Sequence, residues 1–458
     1  MPKLIHSGPW AENRLKLINR HIDIFLPERA MSKVLAKPAV AAVLMIVFLL
    51  IGLGIGYAIW GVAPAGPGYE VRKIVALLPL TGVLSTYGEN SKFTALLAEK
   101  DVNLWLESLG RPWRLQVIVE DTETKPTTAR SKLEHWHGAG VKFFVGPMSS
   151  AEVSECKSYA DANHLLVISP SSTSPALRED DWVFRFCPHD FVQGPALAKL
   201  IWDCGVRHLI ICWRGDTWGD GLANAVKEAY EDLGGTVHFW EEFRYDPGKE
   251  DFPDFASLLN DRVTELLGTY PAEEVGIDVI AFEEIAPLME DCAAYENLKK
   301  VRWFGSDGTC LQPALVEHEV AGPFAAEVRF VNTIFAPGLS NHPRFEYVRG
   351  MGLQVLGRDL DAYAYATYDI VWCLAVAIDR YGYDPDAVRE HLPEITDEWT
   401  KDYGASGHVV LDENGDRAYA DYDLWAVVMV AGKPTWKKVG VWHGPPPGEI
   451  EWIEEGWP

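Results

Sequence analysis

Short β-rich runs alternate with amphipathic stretches from Val71 onward, and the alternation starts afresh midway along the chain. VRKIVALLPL reads as a strand, and Glu89 to Leu106 carries Phe93, Leu96, Leu97 and Leu104 at helical spacing. LQVIVED is the next strand, followed by a helix that opens after Lys125-Pro126 and ends near Gly138 and Gly140. KFFVG, a helix after Ser149-Ser150, and HLLVISP continue the series. It restarts at HLIICW, with a helix through Ala223–Leu233, then TVHFWEEF, DVIAF and VRWFGSDG. Strands alternating with helices in this way build a doubly wound parallel sheet. Two such series predict two α/β lobes. No short repeat period is visible, which excludes a solenoid.

A chain of 458 residues is long enough for two domains with cores of their own. Its formal charge of −25 is unevenly spread, because Lys3, Arg14, Lys16, Arg20, Arg29, Lys33 and Lys37 outnumber Glu12, Asp23 and Glu28 in the first 60 residues. The body is therefore strongly acidic, and such a surface would repel a phosphate backbone; nucleic acid is excluded as a partner. The 7 cysteines are scattered and form no CxxC pair, so neither a disulfide scaffold nor a zinc ribbon is expected. Two readings stay open for them, a Cys292–Cys310 disulfide and buried free thiols.

Residues 39–60, AVAAVLMIVFLLIGLGIGYAIW, carry no charge. At about 1.5 Å per residue that run crosses a hydrocarbon core of roughly 30 Å. Lys33 and Lys37 precede it and Tyr57 and Trp60 close it, which predicts one transmembrane helix with a cytoplasmic N-terminal segment (1–38) and an extracytoplasmic body. A cleaved signal peptide is the competing reading, and the lack of a small-x-small site argues against it. Met31 begins MSKVLAKP, a more natural start for a signal-anchor. A linker, 61–69, contains APAGPG and releases the chain.

Ligands of open α/β sheets sit beyond the carboxyl ends of the strands, so the loops there carry the functional information. Leu80–Gly88 (LTGVLSTYG) offers small residues and one aromatic, Tyr87; Gly146–Ser150 (GPMSS) opens a helix; Ser169–Pro175 (SPSSTSP) follows the fourth strand. Hydroxyls and free N–H groups at a helix start suit an anion such as a carboxylate. The plain alternative for each is a helix cap or a turn; three together are harder to dismiss.

The ordered series LTGVLSTYG, GPMSS, ISPSSTSPAL, FCPHDFVQGPALAKLI, GDTWGDGLA, FGSDG, AYATYD and GASGHVVLDENGD resembles the branched-chain amino-acid type (type I) of periplasmic solute-binding protein of ABC importers, from about Val71 to Val439. The resemblance implies two lobes joined by three crossings and closing over a ligand. It divides the body into lobe 1 (70–189 and 321–408) and lobe 2 (190–320 and 409–441), leaving 442–458 as a tail without a role. It also implies that the Ser150 and Thr173 hydroxyls hold the ligand's carboxylate, helped by the backbone around Ser171. Tyr87 becomes an aromatic wall from lobe 1, and Trp218 an aromatic that closes the pocket from lobe 2. The ammonium partner is Glu283 or Glu284, only one of which can face the cleft, with Asp307 as the substitute. An amino acid or analogue is the implied ligand and an ABC permease the implied partner; no cofactor or metal is called for.

An enzyme is the first rival reading, but no GxSxG elbow, Walker loop, Rossmann fingerprint or HExxH occurs. His135-Trp136-His137 reads as helix surface rather than a metal site, and GDTWGDG lacks calcium-loop spacing. A receptor that signals through a separate chain is the second rival.

Overall fold

The computed structural model describes residues 68–337 and 342–458. The expected transmembrane segment, its cytoplasmic flank and most of the linker lie outside the described residues. Among the described residues no helix is long and apolar enough to cross a membrane.

The first series folds as β1 (Glu70–Leu78), α1 (Ser85–Ser108), β2 (Trp113–Asp121), α2 (Pro126–Gly138), β3 (Phe143–Val145), α3 (Ser150–Asn163), β4 (Leu166–Ser169) and β5 (Val183–Arg185). Its strands form one parallel sheet in the order β2-β1-β3-β4-β5. The last five residues of β1 and all of β3 and β4 are buried, as expected when helices cover both faces of a parallel sheet. In α1 the expected apolar stripe holds only in half: Leu97 is buried and Phe93 packs on the core, but Leu96 and Leu104 are exposed, and the buried face runs through Tyr87, Ser91, Thr94, Ala95, Ala98, Val102 and Leu106. Small residues on that face let α1 lie close against a later helix.

The second series comprises α4 (Asp190–Asp203), β6 (His208–Arg214), α5 (Thr217–Asp232), β7 (Thr236–His238), β8 (Arg244–Tyr245), α6 (Pro253–Leu267), β9 (Val275–Ile280), α7 (Ile285–Cys292), β10 (Arg302–Gly305), α8 (Pro313–Glu317), α9 (Ala321–Glu327) and β11 (Val331–Phe335). The expected strand TVHFWEEF is only three residues long, because the chain turns at Phe239 and Glu241, both at positive φ. After β11 come α10 (Pro343–Leu356), α11 (Ala362–Tyr381) and α12 (Pro385–Tyr403), which return to the first lobe; α11 packs on α1 and α12. The chain then crosses back into β12 (Tyr422–Val430), β13 (Lys433–His443) and β14 (Glu449–Trp452).

Four expectations about this part need correcting. The second sheet is mixed rather than parallel: in the order β14-β13-β12-β11-β10-β9-β6-β7, the three strands β12 to β14 run antiparallel. The expected return to lobe 1 at residue 321 comes too early, since β11 pairs with β10 and holds the chain in the second sheet through Phe335. Likewise residues 409–420 belong beside lobe 1, where Asp416 bridges Arg185 at the end of β5, so lobe 2 resumes at β12. Finally, residues 442–458 are no loose tail. β14 adds a strand to β13, and Trp442 beneath it is fully buried. The seven cysteines are all free thiols, so Cys292 and Cys310 are not joined.

Candidate functional site

The carboxyl ends of β1, β3 and β4 in lobe 1 and of β6, β9 and β10 in lobe 2 open toward one cavity. About 310 Å³ of space between atoms, part of it open to solvent, is lined by Leu84, Tyr87, Met148, Ser149, Ser150, Ser171, Trp218, Phe282, Asp307, Gly308 and Tyr363. Only about 20 Å³ at its centre admits a water-sized body, room for about one water. The two lobes are thus drawn together over the site.

The floor from lobe 1 is the start of α3. Ser149 caps it: its Oγ accepts the Glu152 N–H at 3.2 Å, and the Glu152 carboxylate accepts the Ser149 N–H at 3.0 Å. The first helical bond is Val153 N–H to Ser149 O, so the N–H groups of Ser150 and Ala151 lie ahead of it, with the positive end of the helix dipole behind them. Ser150 Oγ accepts the Ser174 N–H at 3.1 Å and keeps its own proton to donate. Gly146, at φ +85°, lets the chain turn against β1; a Cβ there would stand 2.2 Å from Leu77 O. Ser171 donates its hydroxyl to Met148 O at 2.8 Å, tying the two serine loops together. Behind them Arg185 donates to the carbonyls of Ser172 and Ser174 and forms a two-point pair with Asp416 at 2.5 and 2.6 Å.

Lobe 2 supplies an aromatic wall. Asp216 caps α5 by accepting the N–H groups of Trp218 and Gly219, which fixes Trp218 at the helix start. The Trp218 ring stacks on Phe282 at 4.6 Å and 11°, and the Arg214 guanidinium lies 4.0 Å from the other partner's ring centre at Phe282. Gly308 is where it is because a Cβ would meet Trp218 at 2.5 Å and Ala281 O at 2.4 Å.

The acid in the cavity is Asp307. It is buried, accepting the Gln193 side-chain N–H at 2.9 Å and the Tyr363 hydroxyl. Asp190 lies nearby with both carboxylate oxygens buried and without a hydrogen-bond partner. Burial, together with repulsion between the two acids, pushes the Asp190 carboxyl well up; burial does the same to Asp307 against the bonds from Tyr363 and Gln193.

Of the residues expected from sequence, Tyr87, Ser150, Ser171, Trp218 and Asp307 meet at this cavity. Tyr87 is tied down as well, its hydroxyl donating toward the carbonyls of Asp307 and Cys310 across the lobes at 2.6 and 2.5 Å. Thr173 is displaced: it is buried, does not line the cavity, and its hydroxyl lies beside the Asp190 carboxyl without reaching hydrogen-bond geometry. Neither glutamate faces the cavity. Glu284 turns back to accept from Arg214 and, at 3.0 Å, from the Tyr245 hydroxyl, so it holds the cation under Phe282. Glu283 points the other way, to the start of α1. Leu84, Met148, Phe282, Tyr363 and the Asp190–Gln193 pair were missed. Phe282 stands directly before the two glutamates at the end of β9, so strand-end position alone signalled it.

Residues 92–429 match the family described as the receptor family ligand binding region. The chain belongs to that family. Among its relatives, an uncharacterized protein of Methanocaldococcus jannaschii is 31% identical over 408 residues, covering 85% of this chain and 93% of that one. A leucine-, isoleucine-, valine-, threonine- and alanine-binding protein of Pseudomonas aeruginosa is 23% identical over 377 residues, covering 80% of this chain and 93% of its own length. In structure the chain resembles a leucine-binding protein of Thermotoga maritima, with a TM-score of 0.66 at 22% identity, covering 81% of this chain and 98% of that one. The fold is therefore that of a type I periplasmic binding protein, as the motif series implied.

Proposed function

We propose that the chain is a non-enzymatic solute-binding receptor that captures an amino acid or close analogue between its lobes and delivers it to an ABC permease. One observation carries this reading. Lobe 1 brings free donors, the Ser150 hydroxyl and the first N–H groups of α3, to a small cavity to which lobe 2 brings a buried carboxyl, Asp307. A zwitterion matches that polarity: its carboxylate takes the donors, and its ammonium offsets the repulsion between Asp307 and Asp190. The Trp218–Phe282 stack, Leu84 and Met148 bury the side chain. The amino acids that the Pseudomonas relative is named for binding support the amino-acid class. The apolar run 39–60, flanked by Lys33, Lys37, Tyr57 and Trp60, supports a membrane-held body outside the cytoplasm.

Native mass spectrometry of the purified chain, followed by a thermal-shift screen of amino acids and their desamino analogues, tests the reading. A ligand that binds only the folded form raises the melting temperature as its concentration rises. No amino acid raising it would remove the proposal.

A further inference from the structure

Glu283 lies in the turn between β9 and α7 in lobe 2, yet its contacts are with the turn that opens α1 in lobe 1. Its carboxylate accepts the Thr86 N–H at 2.9 Å and faces the Ser85 hydroxyl at 3.3 Å, while its own N–H donates to Val83 O at 3.2 Å. The carboxylate lies against the first turn of a 24-residue helix, where orphan N–H groups and the helix dipole favour a negative charge. These bonds join residues 197 and 198 positions apart on different lobes, so separating the lobes breaks them. Other links cross the same gap, from Tyr87 to the 307–310 loop, from Ser174 to Thr217 O and from Tyr363 to Asp307, but Tyr87 and Tyr363 also wall the cavity. Glu283 does not.

We propose that Glu283 is a closure residue: it sets how tightly the receptor holds any ligand by latching lobe 2 onto the start of α1, without touching the ligand. A group that bonds only in the closed form raises the closed fraction, and apparent affinity scales with that fraction whatever the ligand. The affinity arm of the test rests on the solute-binding reading above; the distance arm does not.

The first arm uses the full chain in detergent with spin labels on exposed lobe positions, introduced as Glu107→Cys and Glu250→Cys, and measures the interlobe distance without ligand. Glu283→Ala is expected to move population toward longer distances, with Glu283→Gln, which keeps an oxygen for the Thr86 N–H, in between. Identical distributions in all three proteins overturn the proposal. The second arm is calorimetry with L-leucine, L-threonine and 4-methylpentanoate, the desamino analogue of leucine. Glu283→Ala should weaken all that bind by one common factor, on the order of tenfold. A loss confined to the two amino acids would make Glu283 an ammonium partner and overturn the latch. If the unaltered chain binds none of the three, the solute-binding reading falls for these ligands while the distance arm still decides the latch.

Discussion

Ser150 and Thr173 show how far one residue's chemistry can be read without its surroundings. Both were expected to hold a carboxylate, but only Ser150 reaches the cavity; Thr173 is turned toward Asp190 by the backbone bond from Asp190 N–H to Thr173 O at 2.9 Å. Ser150→Ala should therefore weaken ligand binding by about 1–3 kcal/mol, the cost of leaving part of a buried charge unpaired, and Thr173→Ala by clearly less, as calorimetry of the two variants side by side would reveal. The glutamates teach the same lesson. Strand-end position pointed to Glu283 and Glu284, but Arg214 captures one and the start of α1 the other, partners from remote parts of the chain that local pattern does not disclose. Asp307 in FGSDG was legible because the short loop after β10 leaves its side chain few directions. A further residue-scale consequence concerns Asp278, which is buried in β9 with both carboxylate oxygens unpartnered, its carboxyl pushed up to about 7 by burial. The group then binds its proton more tightly folded than unfolded, so it costs nothing below about pH 4, destabilises increasingly from there to about pH 7, and its penalty stays at its full value above. Asp278→Asn should raise stability by about 2–4 kcal/mol at pH 8 and barely at pH 4, measurable as denaturant midpoints at the two values.

Among the elements, the parallel strands and their helices were plain from alternation and length, whereas the C-terminal strands were not. HGPPPGEIEWIEEGWP has the prolines and acids of a surface extension, yet Gly440–His443 pairs with Glu449–Trp452 and closes over Trp442. Trp457 also lies under the Arg329 and Arg302 guanidinium groups at 4.5 and 5.3 Å. A hairpin whose value lies in covering one tryptophan shows only a weak alternating signal of its own. Deleting residues 444–458 should cost about 2–4 kcal/mol through exposure of Trp442 and its neighbours, seen as a lower urea midpoint; an unchanged midpoint would mean the strand is only appended. In α1 the apolar spacing through Leu96 and Leu104 pointed to the wrong face, because close packing against α11 favours alanine, serine and threonine over leucine.

For the whole molecule, the two-lobed plan followed from a strand-helix rhythm that runs twice, while the points where the chain passes between lobes did not, since β11 and the 409–420 segment carry no mark of which sheet they join. What the assembled lobes create is a cavity lined by donors from lobe 1 and an acid from lobe 2, belonging to neither lobe alone. The most direct test of that polarity is calorimetric titration of L-leucine, and of the best ligand found by screening, into the chain and its Asp307→Asn variant. If the ligand's ammonium meets Asp307, the variant should bind about 30- to 1,000-fold more weakly, the usual penalty of 2–4 kcal/mol for losing one partner of a buried charged pair. Affinity unchanged in Asp307→Asn would contradict the account.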